Sequence, residues 1–444
     1  MVDDSRSTEP SMAGTERSAR LHERALGTFP GGVSHNVRYF EPHPVYLDRA
    51  EGARVWDADG NEYVDFWMNH MASILGHSYP PVADAVAAQA QEGLHFGAPN
   101  EAALRLAELV ETFVPSAERL RFCASGTEAT MYAVRLARAA TGRDHVLKVE
   151  GGWHGGNTDL SVGVSAPFDE PETAGLPPGA AEHVHTFPVN DRAAVERLLD
   201  AHAGDVAGVI IEPFFGGGIS AEEAFLRFLK AESERREFLL VFDEVVTGFR
   251  FAPGSYGARV GIDPDLTTLG KILGGGLPVG AVAGRADLFE AARPDVDVPA
   301  DERVLAGGGT FSMNPMTAAA GLATLEVLDS EPVYETVEAA GERVRTELSR
   351  RLDALGVDAT VAGEGSLLYT HFGPDGPLRD LGDVKAHTDR AAGREFDRRL
   401  FEHGVYFLPG HMGAISYRTT DEQLDAFLDA AETVARGMQA DGLL

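Results

Sequence analysis

Cysteine is almost absent from this sequence, since Cys123 is the only one among 444 residues. An intrachain disulfide is therefore excluded, and a cytoplasmic location is expected. The chain contains no run of 18 or more apolar residues, so we expect no membrane-spanning helix. Residues 1–15 are polar and lack the apolar stretch of a secretory signal, and we expect them to be mobile.

Basic residues are also scarce, because 38 Lys and Arg stand against 69 Asp and Glu, giving a formal net charge of −31. Binding to nucleic acid requires clustered positive charge, so no nucleic-acid partner is expected. The acidic residues are spread along the chain, which indicates a solvated surface and suggests a high-salt cytoplasm as a hypothesis. No metal site is expected either, since His70 and His77 lack zinc-ligand spacing to a Cys or a third His.

The most informative stretch begins with the apolar residues 238–242, which are followed directly by Asp243 and Glu244. This composition predicts a strand buried on both faces, as in a parallel sheet covered by helices. Further along, Lys271 precedes the glycines 274–276. Catalysis with pyridoxal phosphate needs a lysine that forms a Schiff base and a carboxylate that keeps the pyridine nitrogen protonated. Each residue considered alone also has a structural interpretation: the lysine would lie in a solvated turn, and the acidic pair would cap the end of a strand.

Two nucleotide-binding motifs fail at this stretch. The pattern GxxxxGK[ST] requires a glycine where Asp265 stands and a hydroxyl residue where Ile272 follows the lysine. The pattern GxGxxG fails because Val279 occupies its last position. These glycines therefore do not indicate a nucleotide-binding loop.

A second candidate site is the turn Ser125, Gly126 and Thr127, which lies between a predicted strand at 121–124 and a predicted helix at 129–140. Free backbone N–H groups, two hydroxyls and the positive end of the helix dipole together form a cradle for an anion. An ordinary helix N-cap is the alternative interpretation.

Trp153 lies in the glycine-rich segment 151–156, directly after a predicted strand at 145–150. A flat aromatic ring at this position can cover a planar heterocycle, and a tryptophan packed in the core is the alternative. Residues 165–182 are rich in Pro, Gly and Ala and predict a surface loop or lid.

Strands and helices alternate through the middle of the chain, which predicts a mainly parallel α/β sheet with ligands at the strand ends. The C-terminal part predicts a separate α/β lobe. The predicted strands and hairpins are 45–66, 206–211, 366–372, 404–408 and 414–417, and the predicted helices are 83–92, 101–113, 221–236, 331–356, 383–403 and 421–437.

Five motifs in this order resemble the class III, fold-type I pyridoxal-phosphate aminotransferases. The similarity is greatest to the branch of glutamate-1-semialdehyde aminomutase and certain β-amino-acid aminotransferases, and it covers residues 23–428. It implies a large, mainly parallel sheet domain flanked by helices at 81–325. A smaller α/β lobe would combine an N-terminal segment, 16–80, with a C-terminal domain, 326–444. The motifs are PGGV at 30–33, SGTEATMYAVRLARAATGR at 125–143, FDEVVTGFR at 242–250, PDLTTLGKILGGGLPVGA at 264–281 and GTFSMNP at 309–315.

The resemblance also implies roles on the cofactor side. Lys271 would be the Schiff-base lysine and the proton shuttle, and Asp243 would pair with the pyridine nitrogen. Trp153 would occupy the ring-stacking position usually held by Tyr, and Thr310 would reach the phosphate of a neighbouring subunit in a homodimer with shared active sites. The phosphate would be held within each subunit by Ser125, Gly126 and Thr127.

On the substrate side the resemblance implies that Arg38 meets a carboxylate, and the residues His35, His70 and His411 are further pocket candidates. The chain departs from the aminomutase here. Residues 69–72 replace a Ser-Trp-Gly-Pro segment, Gly217 replaces an asparagine near the cofactor, and the turn 409–413 lacks a glutamate. The arginines that the β-amino-acid branch uses for carboxylates align with His35 and Gly410.

Three functions follow from this resemblance. The one favoured by the sequence is intermolecular transfer of an amino group from an amino acid or amine, including β- and ω-amino acids, to a 2-oxo acid. The second is the aminomutase reaction, which forms 5-aminolevulinate for tetrapyrrole synthesis. The third is a cofactor-binding paralogue without activity, which the retention of both Lys271 and Asp243 disfavours.

Overall fold

The computed structural model of the chain describes residues 12–177, 179–300 and 302–444. The strands are β1 Leu47–Glu51, β2 Arg54–Asp57, β3 Glu62–Asp65, β4 Arg119–Cys123, β5 His145–Val149, β6 Val184–Phe187, β7 Val206–Ile211, β8 Phe214–Phe215, β9 Ile219–Ser220, β10 Leu239–Glu244, β11 Leu266–Gly270, β12 Gly280–Gly284, β13 Ala359–Ala362, β14 Leu367–Phe372, β15 Val405–Tyr406 and β16 Gly413–Ala414. The α-helices are α1 Glu16–Leu26, α2 Met68–Met71, α3 Pro80–Glu92, α4 Glu101–Phe113, α5 Gly126–Thr141, α6 Arg192–Ala201, α7 Glu223–Arg236, α8 Tyr256–Val260, α9 Pro315–Ser330, α10 Val333–Leu355, α11 Leu381–His387, α12 Arg390–Leu400 and α13 Asp421–Ala440.

The central sheet has seven strands in the order β4, β12, β11, β10, β7, β5, β6. Neighbouring strands run parallel except at β12, which is antiparallel to both β11 and β4. This mainly parallel sheet, flanked by helices, confirms the predicted fold class. Within the described part of the chain, no helix is long and apolar enough to cross a membrane.

Strand β10 is buried on both faces, as its apolar sequence predicts. Leu240 and Phe242 pack in the core beneath α7, whereas Leu239 and Val241 pack on the opposite face beneath α5. Successive side chains of a strand point to opposite faces, so a central strand needs apolar residues at every position. The strand also extends through Asp243 and Glu244, beyond the predicted end at residue 242, because both residues pair with β11.

The parallel strands of the central sheet end at one edge, and the chemically interesting segments follow there. The segment after β4 begins α5, the segment after β5 carries Trp153, and β7 leads into Glu212. Strand β10 ends with Asp243 and Glu244, and Lys271 follows β11 directly. The sheet topology therefore gathers these residues at its carboxyl edge, where ligands bind in open α/β sheets.

Strands from the two ends of the chain share a second sheet, in which β15 pairs in parallel with β3 of the antiparallel set β1, β2 and β3. A smaller lobe built from both ends of the chain agrees with the predicted fold. The division at residues 80 and 325 stays a prediction. Of the terminal segment predicted to be mobile, residues 1–11 lie outside the described residues, whereas Met12 and Thr15 are buried against the small lobe.

Several elements were not predicted, among them β6, α6, β12 and α9, and the helix at 383–403 was predicted too long. Strand β12 has the sequence GAVAG. Gly280 packs so closely on Ser125 that a Cβ at this position would lie 2.1 Å from the Ser125 backbone oxygen, so a larger residue does not fit there. Helix α9 is buried around much of its circumference, which hides the helical period. The single helix predicted at 383–403 is divided, because Asp389 caps a new helix by accepting hydrogen bonds from the N–H groups of residues 391 and 392.

Candidate active site

A cavity of about 710 Å³ opens at the carboxyl edge of the central sheet. A volume of this size is typical of a cofactor or small-molecule site. The cavity brings together most of the residues predicted on the cofactor side, and those in its lining come from four separate segments of the chain. Those predicted residues in its lining are Gly126, Thr127, Trp153, Asp243 and Lys271.

Asp243 is only 3% exposed and is held by three donors. Its Oδ1 accepts from Thr268 Oγ1 at 2.8 Å and from the backbone N–H of Val245 at 3.1 Å. Its Oδ2 accepts from Nδ1 of His154 at 2.8 Å. These three hydrogen bonds fix the orientation of the carboxylate at the base of the cavity.

His154 is a residue that the sequence analysis did not single out. It is fully buried, lines the cavity, and has an Nε2 with no hydrogen-bond partner in the described structure. Burial lowers its pKa, although hydrogen bonding to Asp243 acts in the opposite direction. The signal available in the sequence was a titratable residue directly after the candidate ring-stacking Trp153, at the end of a strand.

Lys271 follows β11 and has a φ angle of 45°, in the left-handed region that non-glycine residues seldom adopt. Such backbone strain concentrates at functional sites. Burial lowers the pKa of the Lys271 amine, and the positive charge of Arg250 adds to this effect, whereas Asp243 and Glu212 raise it. A lowered pKa increases the neutral fraction of the amine, which is the nucleophilic form.

Glu212 is a second buried carboxyl group in the cavity lining and was also missed. Its Oε2 accepts a hydrogen bond of 2.9 Å from the backbone N–H of Trp153. Burial raises the pKa of Glu212, and the negative charge of Asp243 raises it further. The raised pKa favours the protonated form of the Glu212 carboxyl group.

Lys148 organises the segment that carries Trp153. Its fully buried Nζ donates to three backbone carbonyls, those of Gly152 at 2.9 Å, Leu160 at 2.9 Å and Val162 at 2.8 Å. Trp153 itself is 55% exposed and faces the cavity, so it is not a packed core residue. The ring is available to cover a flat ligand.

The turn before α5 has the form of an anion cradle. Ser125 is the N-cap of α5, and its Oγ accepts a hydrogen bond of 3.2 Å from the Glu128 N–H. The same hydroxyl donates a hydrogen bond of 3.2 Å to the Glu128 carboxylate. A Cβ at Gly126 would lie 2.9 Å from the side chain of Val245, and one at Gly155 would lie 2.3 Å from Thr127 Oγ1. Both glycines thus keep the backbone open at the positive end of a helix.

The donor set of the cavity fits pyridoxal phosphate. Lys271 offers a buried amine, and Asp243 offers a fixed carboxylate. The N-terminus of α5 offers backbone N–H groups where a side chain at Gly126 or Gly155 would fill the space. An amine, an anion and an anion cradle match the aldehyde, the pyridine nitrogen and the phosphate of this cofactor.

The substrate-side candidates divide between two cavities. His35, His70 and His411 line the main cavity, whereas Arg38 lines a neighbouring cavity of about 450 Å³ that also includes His35 and His70. Arg38 is exposed and donates to Ser34 Oγ at 2.8 Å. Two cations that the sequence analysis did not consider, Lys385 and Arg390, line the main cavity.

His70 lies in a left-handed turn, since φ is positive at each of the four residues 68–71. Four consecutive non-glycine residues in this region carry considerable strain. Burial lowers the pKa of His70 to about 3, and the charge of Lys271 contributes to this shift. The imidazole is therefore neutral at physiological pH and can accept or donate one hydrogen bond.

Thr310 and the predicted lid at 165–182 differ in whether they line the cavity. Thr310 is exposed and does not contribute to the cavity lining in this single chain. From the predicted lid, Ser165, Ala166 and Phe168 do line the cavity, and Lys385 Nζ donates to the Ala166 carbonyl at 3.2 Å. The start of the loop therefore borders the site.

The comparisons with known proteins agree with this arrangement. The sequence model of the aminotransferase class-III family matches residues 36–434. A glutamate-1-semialdehyde 2,1-aminomutase from Bordetella avium is 40% identical over 426 residues, covering 94% of this chain and 98% of the relative. One from Methanopyrus kandleri is 38% identical over 422 residues, covering 94% and 96%.

A solved structure of a β-phenylalanine aminotransferase from Variovorax paradoxus superimposes with a TM-score of 0.87 at 33% identity, covering 96% of this chain and 95% of that chain. The family match spans most of the residues described, and the mainly parallel sheet flanked by helices is the fold that the sequence motifs predict. The chain belongs to the class III aminotransferases, which are pyridoxal-phosphate-dependent enzymes.

Proposed function

We propose that the protein is a glutamate-1-semialdehyde 2,1-aminomutase, which moves an amino group between neighbouring carbons of one substrate. The observation that carries this proposal is 38–40% identity, over nearly the whole chain, to aminomutases from a bacterium and an archaeon. The sequence analysis favours intermolecular transfer and keeps the aminomutase as its alternative. The relatives support that alternative better.

The geometry supports the two half-reactions that the aminomutase requires. Pyridoxal phosphate, when bound, holds the amino group of the substrate covalently and withdraws electrons from the adjacent carbon. Lys271 would anchor the cofactor aldehyde. Once released from it, the free amine would carry a proton to or from the substrate carbon that bears the amino group in each half-reaction. Its lowered pKa supports this role, because only the neutral amine takes up a proton.

Asp243 would stabilise positive charge on the pyridine nitrogen. Its hydrogen bonds with Thr268, Val245 and His154 hold the carboxylate in place before the cofactor binds, so little reorganisation is needed during the reaction. The N–H groups at the start of α5, with Thr127, would hold the phosphate, and Trp153 would cover the ring.

Intermolecular transfer is the second candidate, and specific residues favour it. The segment 69–72 differs from the aminomutase motif and overlaps the left-handed turn at 68–71 that carries His70. Gly217 lines the cavity where the resemblance places an aminomutase asparagine. The overall likeness to the β-phenylalanine aminotransferase of Variovorax paradoxus agrees with an amino acid donor and a 2-oxo acid acceptor.

One experiment separates the two candidates. The purified enzyme is converted to its pyridoxamine form and given glutamate-1-semialdehyde without any oxo acid. Accumulation of 5-aminolevulinate over many turnovers supports the aminomutase. If no product forms, and activity appears only with an amino donor plus a 2-oxo acid, the second candidate replaces it.

We further propose a cytoplasmic homodimer with shared active sites and no nucleic-acid partner. The single chain leaves large apolar side chains exposed at Leu94, Phe96, Leu305 and Phe311. Exposed apolar patches mark interaction surfaces. His95 and Phe311 lie 5.3 Å apart between ring centroids, so two of these segments adjoin. Thr310 borders this surface, in agreement with a contact to the phosphate in a partner subunit.

A further inference from the structure

Three histidines converge at the edge of the central sheet that lies opposite the active site. His145 is the first residue of β5, His185 lies near the start of the neighbouring strand β6, and His202 directly follows α6. Parallel strands have their amino ends at one edge and their carboxyl ends at the other. Because Lys271 and Asp243 lie toward the carboxyl ends, these histidines are separate from the cofactor cavity.

The three imidazoles are close enough to share one ion. One ring nitrogen from each residue lies within 4.8 Å of those of the other two, and Nδ1 of His145 lies 2.8 Å from Nε2 of His185. Nitrogen ligands about 2.1 Å from a tetrahedral zinc ion are about 3.4 Å from one another. Small side-chain movements would therefore bring the three nitrogens to ligand distance.

The backbone holds the three residues in place. The N–H of His145 donates to the Asp205 carbonyl at 3.0 Å, and the Asp205 N–H donates to the His202 carbonyl at 3.0 Å. The N–H of His202 donates to Leu198, which joins the turn to α6. Pairing of β5 with β6 fixes His185 beside them. Ligands held on paired strands and a helix end lose little conformational freedom when an ion binds.

Negative charge lies near the three imidazoles. Asp144 and Asp205 act electrostatically on His145, and His202 follows the last residue of α6, where the helix dipole is negative. Both features attract a positive ion.

We propose that His145, His185 and His202 bind a divalent transition-metal ion such as zinc. Three imidazole ligands suit zinc, cobalt or nickel better than magnesium or calcium, which prefer oxygen ligands. All three residues are partly exposed, so water can complete the coordination. The ion would join two edge strands to a helix, and its role would be to stabilise this edge of the sheet.

Cobalt titration of the tag-free holoenzyme tests this proposal. Co²⁺ in a tetrahedral nitrogen site gives visible absorption, so binding can be followed directly. We expect one equivalent per chain, a higher melting temperature with the ion, and no change in cofactor absorbance. His202→Ala and His185→Ala should each weaken binding at least tenfold. His403→Ala, which changes an exposed histidine elsewhere, should bind as the wild type does.

His202→Asn is a milder variant that guards against loss of folding, and its metal-free melting temperature should match the wild type. The proposal is overturned if the wild-type chain binds neither cobalt nor zinc at micromolar concentration. It is also overturned if the folded His202 and His185 variants bind as tightly as the wild type. Binding accompanied by a changed cofactor spectrum would instead place the ion at the active-site histidines His35, His70 and His411.

Discussion

Nδ1 of His154 donates a 2.8 Å hydrogen bond to Oδ2 of Asp243, and both side chains are buried beneath the cofactor cavity. The other two donors to Asp243 act on Oδ1, so His154 alone controls the second oxygen. His154 is therefore a positioning residue for the carboxylate that would face the pyridine nitrogen.

We expect His154→Phe to lower kcat by about 10- to 100-fold, since a hydrogen bond to a charged group contributes about 1.5–3 kcal/mol. His154→Asn, which can still donate, should recover part of this loss. The cofactor absorbance of the two variants, measured against pH, should show a lowered pKa of the pyridine nitrogen in the Phe variant only. Equal spectra and equal kcat would remove His154 from this role.

Asp243→Asn should retain the cofactor and lose most activity, because a neutral partner no longer favours a protonated pyridine nitrogen. The amide keeps the shape of the carboxylate, and its oxygen can still accept from Thr268 and Val245, whereas its NH2 group can no longer accept from His154. Cofactor content by absorbance and kcat by product formation provide the measurements. Activity near that of the wild type would contradict the assignment of Asp243.

Lys271→Ala should abolish turnover and leave the fold intact, since it removes both the covalent anchor and the proton carrier. Because alanine keeps the same backbone and the substitution removes only a buried amine, it should not lower the melting temperature of the cofactor-free protein by more than a few degrees. Lys385→Ala, which changes an exposed lysine at the cavity, is the matched control and should keep covalent cofactor. Normal turnover of Lys271→Ala would overturn the assignment.

The residues predicted on the cofactor side could be picked out because they lie in continuous motifs at strand ends, and their roles stay predictions. Asp243 lies at the end of β10 and Lys271 directly follows β11, and the parallel pairing of these strands brings the two residues to one edge of the sheet. Long-range pairing also creates the histidine cluster, which the sequence did not reveal. His145, His185 and His202 have no recognisable metal-ligand spacing, and only the pairing of β5 with β6 and the end of α6 unites them.

The substrate side was harder to predict because its geometry depends on loops. The left-handed turn at 68–71, which directs His70 toward the cavity, contains no glycine and gives no turn signal in the sequence. Likewise, Arg390, which lines the cavity, is the first residue of the helix that Asp389 caps, and this interruption of the predicted helix at 383–403 was not recognised in the sequence.

The carboxylate contact can be assigned by comparing two arginines. We expect Arg38→Ala to raise the KM for glutamate-1-semialdehyde by about 30- to 150-fold, corresponding to about 2–3 kcal/mol for a charge-assisted contact. Arg390→Ala should have a smaller effect, because the resemblance places the carboxylate at Arg38. Steady-state kinetics of both variants provide the measurement. The reverse ranking would move the substrate carboxylate to Arg390, which borders the main cavity.

Phe311→Asp should convert the proposed dimer to a monomer, because it places a charge in an apolar surface at a side chain that is 63% exposed in the single chain. Sedimentation velocity of the holoenzyme measures the change in mass, and Leu443→Asp, at another exposed apolar residue, is the control. If Thr310 contacts the phosphate across the interface, the monomer should also release its cofactor more readily on dialysis. Dimers that persist in Phe311→Asp, with full cofactor content, would place the interface elsewhere on the surface.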